Sequence, residues 1–325
     1  MSETIADLLG RIRPGRVIDG ISAVFLPFDR TGKIDFESFQ RHLLRTAEAH
    51  LRPAVNMDTG FGPQLAPAQR REVLRVTRKA LGGNAPFVAG AMPFGEEGDA
   101  LAGYRSAIQA ILSVGGTPII FQSGLFKGAS GAQIAELYRR IVEPCEEALA
   151  FELGGMFADF GAIYDTDTFR RIMEIPKIVG LKHSSLSREV ELVRLAERDR
   201  LRPDFRIYTG NDLAIDMVMY GSDYLLGLST FDAEAFALRD RLWAAADARF
   251  FELNDALQAV GRAAFRDPVA AYKASAAVYL SLTGQLGDIA PHPSCPRRPA
   301  WEAELLRPLA GAVARAVERA RSTRT

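Results

Sequence analysis

The sequence predicts an α/β fold, a closed (β/α)8 TIM barrel followed by a C-terminal helical extension. Short apolar runs alternate eight times with longer stretches of helical period over roughly 210 residues. Parallel strands need such crossovers, and eight units in this length suit a closed barrel better than an open sheet. The sequence has neither a glycine-rich dinucleotide fingerprint after the first strand nor a GxxxxGK[ST] loop, which disfavours Rossmann and P-loop folds.

Each predicted strand is a short, mainly apolar run, and each predicted helix follows directly. The strands cover residues 20–27, 53–56, 87–92, 117–121, 150–153, 178–183, 205–209 and 224–228. The helices cover residues 35–50, 67–81, 99–114, 130–149, 165–175, 187–200, 212–220 and 232–257. Pro67 suits the first turn of the second helix, and Asp165 or Thr166 is the expected cap of the fifth.

The end of the chain departs from this alternation. Two further helical stretches, 267–282 and 300–321, are separated by a proline-rich linker at 291–299. We therefore predict a catalytic barrel domain over residues 15–258. We expect the extension, residues 259–325, to pack on the barrel or on another subunit.

Composition excludes several classes of protein. With 48% hydrophobic and 25% charged residues in 325, the chain is typical of a folded protein and not of a disordered one. Lys+Arg 40 against Asp+Glu 40 leaves no basic excess for nucleic acid. The first 16 residues lack the apolar core of a signal peptide, no apolar run approaches a membrane span, and Cys145 and Cys295 are lone thiols. We predict a cytoplasmic protein without nucleic-acid or membrane partners.

Catalytic groups of such a barrel lie at the carboxyl ends of its strands. Of the six lysines, Lys182 alone lies inside an otherwise apolar strand. Burial lowers the pKa of an amine, and a neutral amine forms a Schiff base with a carbonyl compound. The alternative is a lysine that reaches solvent from the strand end. Lys127, in a loop after a strand, is either solvated or in contact with an acidic substrate.

Four segments resemble one known family. The segment 180–185 (GLKHSS) resembles the sequence around the Schiff-base lysine of the dihydrodipicolinate synthase/N-acetylneuraminate lyase family, which are class I aldolases and related lyases on a (β/α)8 barrel. Residues 20–28 are similar to the first strand of that family, 210–212 (GND) to its turn after the seventh strand, and 221–229 to its eighth strand. The resemblance covers nearly the whole chain.

The resemblance implies roles for individual residues. Lys182 matches the Schiff-base lysine, and the family's carboxylate-binding G-T-T-G-E loop falls at 57–61 (MDTGF), where Thr59 and Gly60 are retained. Leu226 matches a position whose carbonyl faces the substrate, and we count Gly210 as substrate-binding too. The family is commonly tetrameric, so a homo-oligomer is expected.

This chain departs from the family at the proton-transfer groups. Phe151 stands where the family has its relay tyrosine; it has no hydroxyl, and it is included as substrate-binding. Asp58 replaces the threonine of the relay, so it is either an acid or base or an Asx-turn residue. Glu152 follows Phe151 and is included as substrate-binding, although strand alternation favours an outward direction for its side chain. Four other residues at strand ends are candidates for proton transfer: Asp159, Tyr164, His183 and Asp212.

We therefore expect a Schiff-base lyase or aldolase that acts on a 2-oxo acid or a related carbonyl compound with an altered proton relay, and that needs no cofactor. An acidic Asp58 in the carboxylate loop predicts a carbonyl substrate other than free pyruvate, or a larger one derived from a sugar acid. Two alternatives stay open. The first is a barrel that keeps the fold, has lost the catalytic activity and serves as a ligand-binding or regulatory protein. The second is a metal-dependent enzyme, which the four scattered histidines disfavour.

Overall fold

The computed structural model describes residues 5–155 and 157–322. Within these residues eight parallel strands close into a barrel in sequential order, with β1 paired to β8. The fold class predicted from the sequence is confirmed. The strands are β1 (Gly20–Ala23), β2 (Arg52–Val55), β3 (Val88–Ala91), β4 (Thr117–Ile120), β5 (Ala148–Leu153), β6 (Ile178–Ser184), β7 (Arg206–Thr209) and β8 (Asp223–Leu226).

Helices surround the barrel and extend beyond it. They are α1 (Ile5–Arg11), α2 (Phe36–Glu48), α3 (Pro67–Leu81), α4 (Ala100–Leu112), α5 (Gly131–Ile141), α6 (Thr166–Met173), α7 (Arg188–Leu201), α8 (Ala233–Ala244), α9 (Arg249–Ala264), α10 (Tyr272–Leu282) and α11 (Glu302–Arg321). No helix of the described ranges is both long and apolar enough to cross a bilayer. The predicted lack of a signal peptide concerns residues 1–16, of which the first four lie outside the described residues.

Side-chain alternation on the strands produces two apolar layers. On β5, Leu149, Phe151 and Leu153 point into the barrel, whereas Ala148 and Ala150 pack against the surrounding helices. The register pairs Phe151 with Lys182 on β6 and Glu152 with His183. Residues paired in this way share a face of the sheet. The same alternation therefore sends Lys182 inward and Glu152 outward.

Local sequence defines most helix starts. The helices α2, α4, α5, α6, α7 and α8 each begin after a residue whose side chain accepts a hydrogen bond from a backbone N–H of the first turn. These caps are Asp35, Asp99, Ser130, Asp165, Ser187 and Asp232. Asp165 is thus the cap of the helix for which the sequence left two candidates.

Three predicted helices differ from the structure. The helix predicted over 130–149 ends at Ile141, because Pro144 has no N–H to continue it. The stretch 212–220 forms only a 3-10 segment, Ile215–Tyr220. The long helix predicted over 232–257 is two helices, α8 and α9. The chain turns at Ala246, which has a left-handed φ of 51°, and the Asp247 carboxylate then accepts from the N–H of Arg249.

The C-terminal segment returns to the carboxyl end of the barrel. The helix α9 spans the predicted boundary at residue 258, and α11 packs along α9. The start of the proline-rich linker lies over the loops that follow β1 and β2: Phe28 bridges Ala290, just before the linker, and the His292 ring packs against the rings of Phe28 and Phe61. This path places α10 beside the mouth of the barrel. The division into two domains stays a prediction.

Candidate active site

Lys182 lies near the end of β6 and points into the barrel. Its Nζ is 4.6 Å from the centre of the Phe151 ring, and its Cε is so near Gly210 that a Cβ there would come within 2.8 Å of it. Burial in this apolar environment lowers the pKa of Lys182, and the carboxyls of Asp212 and Asp58 oppose that shift. Gly210 thus provides room for the lysine side chain, and the amine is easier to deprotonate than an ordinary one.

A cavity of about 320 Å³ opens above this amine at the carboxyl ends of the strands. Its walls combine a polar floor with many aromatic rings. The lining consists of Asp58, Thr59, Pro63, Gln64, Phe94, Phe121, Phe151, Leu153, Phe157, Ala158, Phe160, Lys182, Ser184, Gly210, Asp212, Gly227, Phe265 and Tyr272. The predicted residues Lys182, Asp58, Thr59, Phe151 and Gly210 are therefore brought together at one site.

Asp212 follows β7 and carries the most clearly perturbed carboxyl of this lining. Burial raises its pKa from 3.8 to about 7, although the Leu228 N–H donates to it over 2.7 Å and the Lys182 ammonium attracts its charge. A carboxyl with this pKa exchanges protons readily at neutral pH. The sequence offers Asp212 only as one of several residues at strand ends. Its pKa in the structure makes it well suited to acid–base chemistry.

Asp58 lies in a network with the C-terminal helix α10. The Lys273 ammonium lies 3.0 and 3.1 Å from its two oxygens, and the Tyr272 hydroxyl donates to it over 3.0 Å. Burial alone raises the pKa of Asp58, but the charge and hydrogen bonds of Lys273 and the Tyr272 hydroxyl bring it below its usual value. Asp58 is therefore an anion at neutral pH, neutralised by Lys273.

Tyr272 links this carboxylate to the predicted binding loop. Its hydroxyl is 2.9 Å from the Thr59 hydroxyl, and its ring stacks on Phe265 with centres 4.3 Å apart. Burial raises the pKa of Tyr272 well above its usual value, and the negative charge of Asp58 adds to that shift. The phenol keeps its proton and can act as a hydrogen-bond donor at the cavity wall.

Two predicted contacts do not reach the cavity. The Gly60 N–H, expected to bind a carboxylate, donates to the Met57 carbonyl over 3.1 Å within the loop. The Leu226 carbonyl, expected to face substrate, accepts from the Ser229 hydroxyl over 2.9 Å. Neither residue belongs to the cavity lining. Both backbone groups are thus already paired in this conformation.

Glu152 also lies away from the cavity, on the outer face of β5. It is fully buried and bonded to His183 over 2.5 Å and to Arg194 over 2.9 Å, and it accepts from the Tyr164 N–H. Burial would raise its pKa, but His183 and Arg194 lower it to about 2. The predicted substrate contact is therefore corrected: Glu152 points outward because it alternates with Phe151, and it ties β5 and β6 to α7.

Tyr272 and Lys273 were not among the sequence candidates for the site. Their partner, Asp58, lies more than 200 positions earlier in the chain, and no local motif links the two segments. The sequence alone indicates no more than a structural role for Lys273 in the tail. Lys273 is the second residue of α10 and lies between the buried Tyr272 and Ala274, a position that becomes informative only once the path of the tail is known.

The described residues contain no cluster of three or more His, Cys, Asp or Glu side chains that could hold a metal ion. The polar side chains of the cavity are an amine, two carboxyls, the Gln64 amide and three hydroxyls, from Thr59, Ser184 and Tyr272. Such a set suits covalent and proton-transfer chemistry on a small molecule.

An eight-stranded parallel barrel with a lysine in its mouth at the end of β6 places the chain in the class of dihydrodipicolinate synthase and aldolase barrels, as a divergent member. Within that class it belongs to the family described as "Protein of unknown function (DUF993)", whose model matches residues 30–289. The resemblance recognised from the sequence is thereby confirmed.

Individual relatives are distant. The 4-hydroxy-tetrahydrodipicolinate synthase of Kosmotoga olearia is 26% identical over 224 residues, which cover 64% of this chain and 68% of that protein. The dihydrodipicolinate synthase structure from Thermotoga maritima has a TM-score of 0.76 at 19% identity and covers 91% of this chain and 100% of that one. The Ruminococcus gnavus sialic acid aldolase has a TM-score of 0.74 at 14% identity, with coverage of 93% and 99%. The two structural likenesses concern the fold.

Proposed function

We propose that this protein is a lyase or aldolase that forms a Schiff base between Lys182 and a 2-oxo acid or a related carbonyl compound. The observation that carries the proposal is the amine itself. It lies in the barrel mouth with a lowered pKa, beside a carboxyl whose pKa is about 7. A lowered pKa favours the neutral amine that attacks a carbonyl carbon, and a carboxyl with a pKa of about 7 can act as the acid that helps water to leave.

The proposed chemistry begins with attack of the neutral Lys182 amine on the carbonyl carbon. A C–N bond forms, the carbonyl oxygen takes a proton, and loss of water gives the iminium. In the cleavage direction a base removes the proton of the β-hydroxyl, and its oxygen forms a C=O bond as the Cα–Cβ bond breaks, so the β-carbon fragment leaves as an aldehyde or ketone. The electron pair of the broken bond forms the C=C bond of an enamine, and the C=N pair moves to the nitrogen. Protonation of the enamine and hydrolysis then release the product and the amine.

Asp212 is proposed to supply and accept these protons. Its pKa of about 7 leaves both forms populated at neutral pH, and it lines the cavity with Lys182. The raised pKa of Asp212 also reduces the negative charge beside the amine. Asp212 therefore disfavours the neutral form of Lys182 less than a fully ionised aspartate would.

The hydroxyls of Tyr272 and Thr59 are proposed to complete the relay. Phe151 offers no hydroxyl, and the nearest phenol of the lining comes from α10, where Tyr272 bonds to Thr59 and to Asp58. In this proposal the single O–H of Tyr272, which donates to Asp58 in the free protein, turns to donate to the oxygen of the carbinolamine once substrate is bound. Asp58, predicted as an acid or base, thereby becomes a positioning residue.

Borohydride reduction tests the proposal. The full chain is incubated with a panel of 2-oxo acids and aldehydes, reduced, and measured by intact mass, together with Lys182→Ala. Lys127→Ala is the matched control, because Lys127 is an exposed lysine in a loop after β4. We expect one reduced adduct in the chain and in the control and none in Lys182→Ala. Lack of an adduct with every carbonyl compound refutes the Schiff base.

The second candidate is a ligand-binding or regulatory barrel without chemistry. Phe151 favours it, because an apolar ring stands where the related family has its relay tyrosine. Saturable binding of a carbonyl compound without adduct or turnover identifies this alternative. The predicted cytoplasmic location and homo-oligomer stay predictions, to be checked by fractionation and by light scattering.

A further inference from the structure

Aromatic side chains are the most frequent type in the cavity wall around Lys182. Six phenylalanines contribute to it: Phe94, Phe121, Phe151, Phe157, Phe160 and Phe265. The rings pack as pairs, with Phe121 edge-on to Phe151 at 5.1 Å and Phe94 tilted on Phe160 at 5.5 Å between centres. Ring faces and edges of this kind bind apolar and aromatic groups well and offer no hydrogen bonds to a sugar chain.

The charges of the cavity disfavour an anionic substituent. Among the described lining residues none is arginine, and the ionisable groups are Lys182, Asp58, Asp212 and Tyr272. The Lys273 ammonium is already held by both oxygens of Asp58. A phosphate or a second carboxylate on the substrate would therefore lose its water beside the carboxyls of Asp58 and Asp212. It would find no free cation to compensate for that loss.

The free hydrogen-bonding capacity is small as well. The hydroxyls of Thr59 and Tyr272 bond to each other, which leaves Ser184 and Gln64 as the remaining uncharged polar side chains of the lining. The volume of about 320 Å³ is at the small end of ligand sites. It suits a short carbonyl chain with one ring, and a polyhydroxylated chain would leave several hydroxyls unpaired.

We propose that the substrate carries an uncharged aromatic or bulky apolar group, which binds among Phe94, Phe121 and Phe265 while its carbonyl carbon meets Lys182. This inference rests on the proposed function for the position of the carbonyl, but the apolar subsite is a property of the cavity wall alone. Phosphorylated and polyhydroxylated carbonyl compounds are correspondingly poor substrates.

A binding experiment tests the subsite separately from the chemistry. Lys182→Ala keeps every ring of the wall and removes the nucleophile, so it is titrated by calorimetry with 2-phenylethanol and with glycerol 3-phosphate. We expect saturable binding of the aromatic alcohol, at least tenfold tighter than that of the phosphate. Equal binding, or tighter binding of the phosphate, overturns the inference. Aromatic binding without any borohydride adduct in the unaltered chain would instead refute only the proposed function.

A substitution of the wall tests the same subsite in turnover or adduct formation. Phe94 is partly buried at the cavity edge, so Phe94→Arg places a cation there, and Phe251→Arg is the control on the exposed face of α9. Retention of the fold is checked by circular dichroism. We expect Phe94→Arg to lose at least tenfold in rate of adduct formation with benzaldehyde-type compounds and to gain with phosphorylated aldehydes, and Phe251→Arg to match the unaltered chain. Unchanged selectivity in Phe94→Arg overturns the inference.

Discussion

Burial of the Asp212 carboxyl lowers the free energy of unfolding, and Asp212→Asn should recover part of that loss. In the folded chain its pKa is about 7, against an ordinary 3.8, chiefly because it is buried. Between these values the folded protein binds the proton that the unfolded chain has released, so stability falls as the pH rises through this window. Asp212→Asn has no such titration, and its amide oxygen can still accept from the Leu228 N–H.

The size of the effect follows from the same values. A span of roughly three pH units at about 1.4 kcal/mol per unit gives an upper bound near 4 kcal/mol. Solvent in the cavity screens part of this, so we expect Asp212→Asn to gain about 1–3 kcal/mol over the unaltered chain at pH 8, and much less at pH 5. Loss of the negative charge also lowers the pKa of Lys182 further, which destabilises the folded chain below the ordinary lysine pKa and so offsets part of this gain.

Urea denaturation at pH 5 and pH 8 measures this difference. Asp204→Asn is the control, since its side chain is 77% exposed, and it should change the free energy of unfolding by less than about 0.5 kcal/mol at either pH. Asp212→Asn should also lose activity. A stability difference between Asp212→Asn and the unaltered chain that is equal at the two pH values, or larger at pH 5, refutes the reasoning.

Three further outcomes are expected. Tyr272→Phe keeps the stacking on Phe265 but removes the donor, so turnover should fall by about 10²–10⁴-fold with the fold intact by circular dichroism; unchanged kcat would exclude the relay. Lys273→Met removes the cation that lowers the pKa of Asp58, so the acid limb of the pH–rate profile should move to higher pH; a limb that does not move would show that this carboxylate is not coupled to turnover. Glu152→Gln leaves Arg194 buried without its counter-ion and should cost about 3–5 kcal/mol in urea denaturation at pH 7; a loss below 1 kcal/mol would contradict the buried network.

The lysine was predictable from the sequence because its signal is local. A single lysine in an apolar strand, in a chain with few lysines, is a departure from the pattern that burial demands. Strand alternation likewise carried the information that Glu152 turns outward, since Phe151 before it faces the barrel.

The part of the site that α10 contributes was not predictable, because it depends on the path by which the C-terminal segment returns to the mouth of the barrel. Tyr272 and Lys273 reach Asp58 only after α9 and the turn that joins it to α10 have been placed in space. The pKa of Asp212 is similarly a result of burial by surrounding elements, and its sequence neighbours do not indicate it. Helix ends were mispredicted where a single residue, such as Pro144, outweighed an otherwise helical period.

The central claim, that Lys182 is the imine-forming residue, is tested most directly by mapping the reduced adduct. The full chain is treated with a carbonyl compound and borohydride, digested, and sequenced by tandem mass spectrometry. We expect one modified peptide, with the added mass on Lys182. The yield of this adduct should rise as the pH passes the lowered pKa of the Lys182 amine. An adduct on another lysine, or none with any compound that binds, would contradict it.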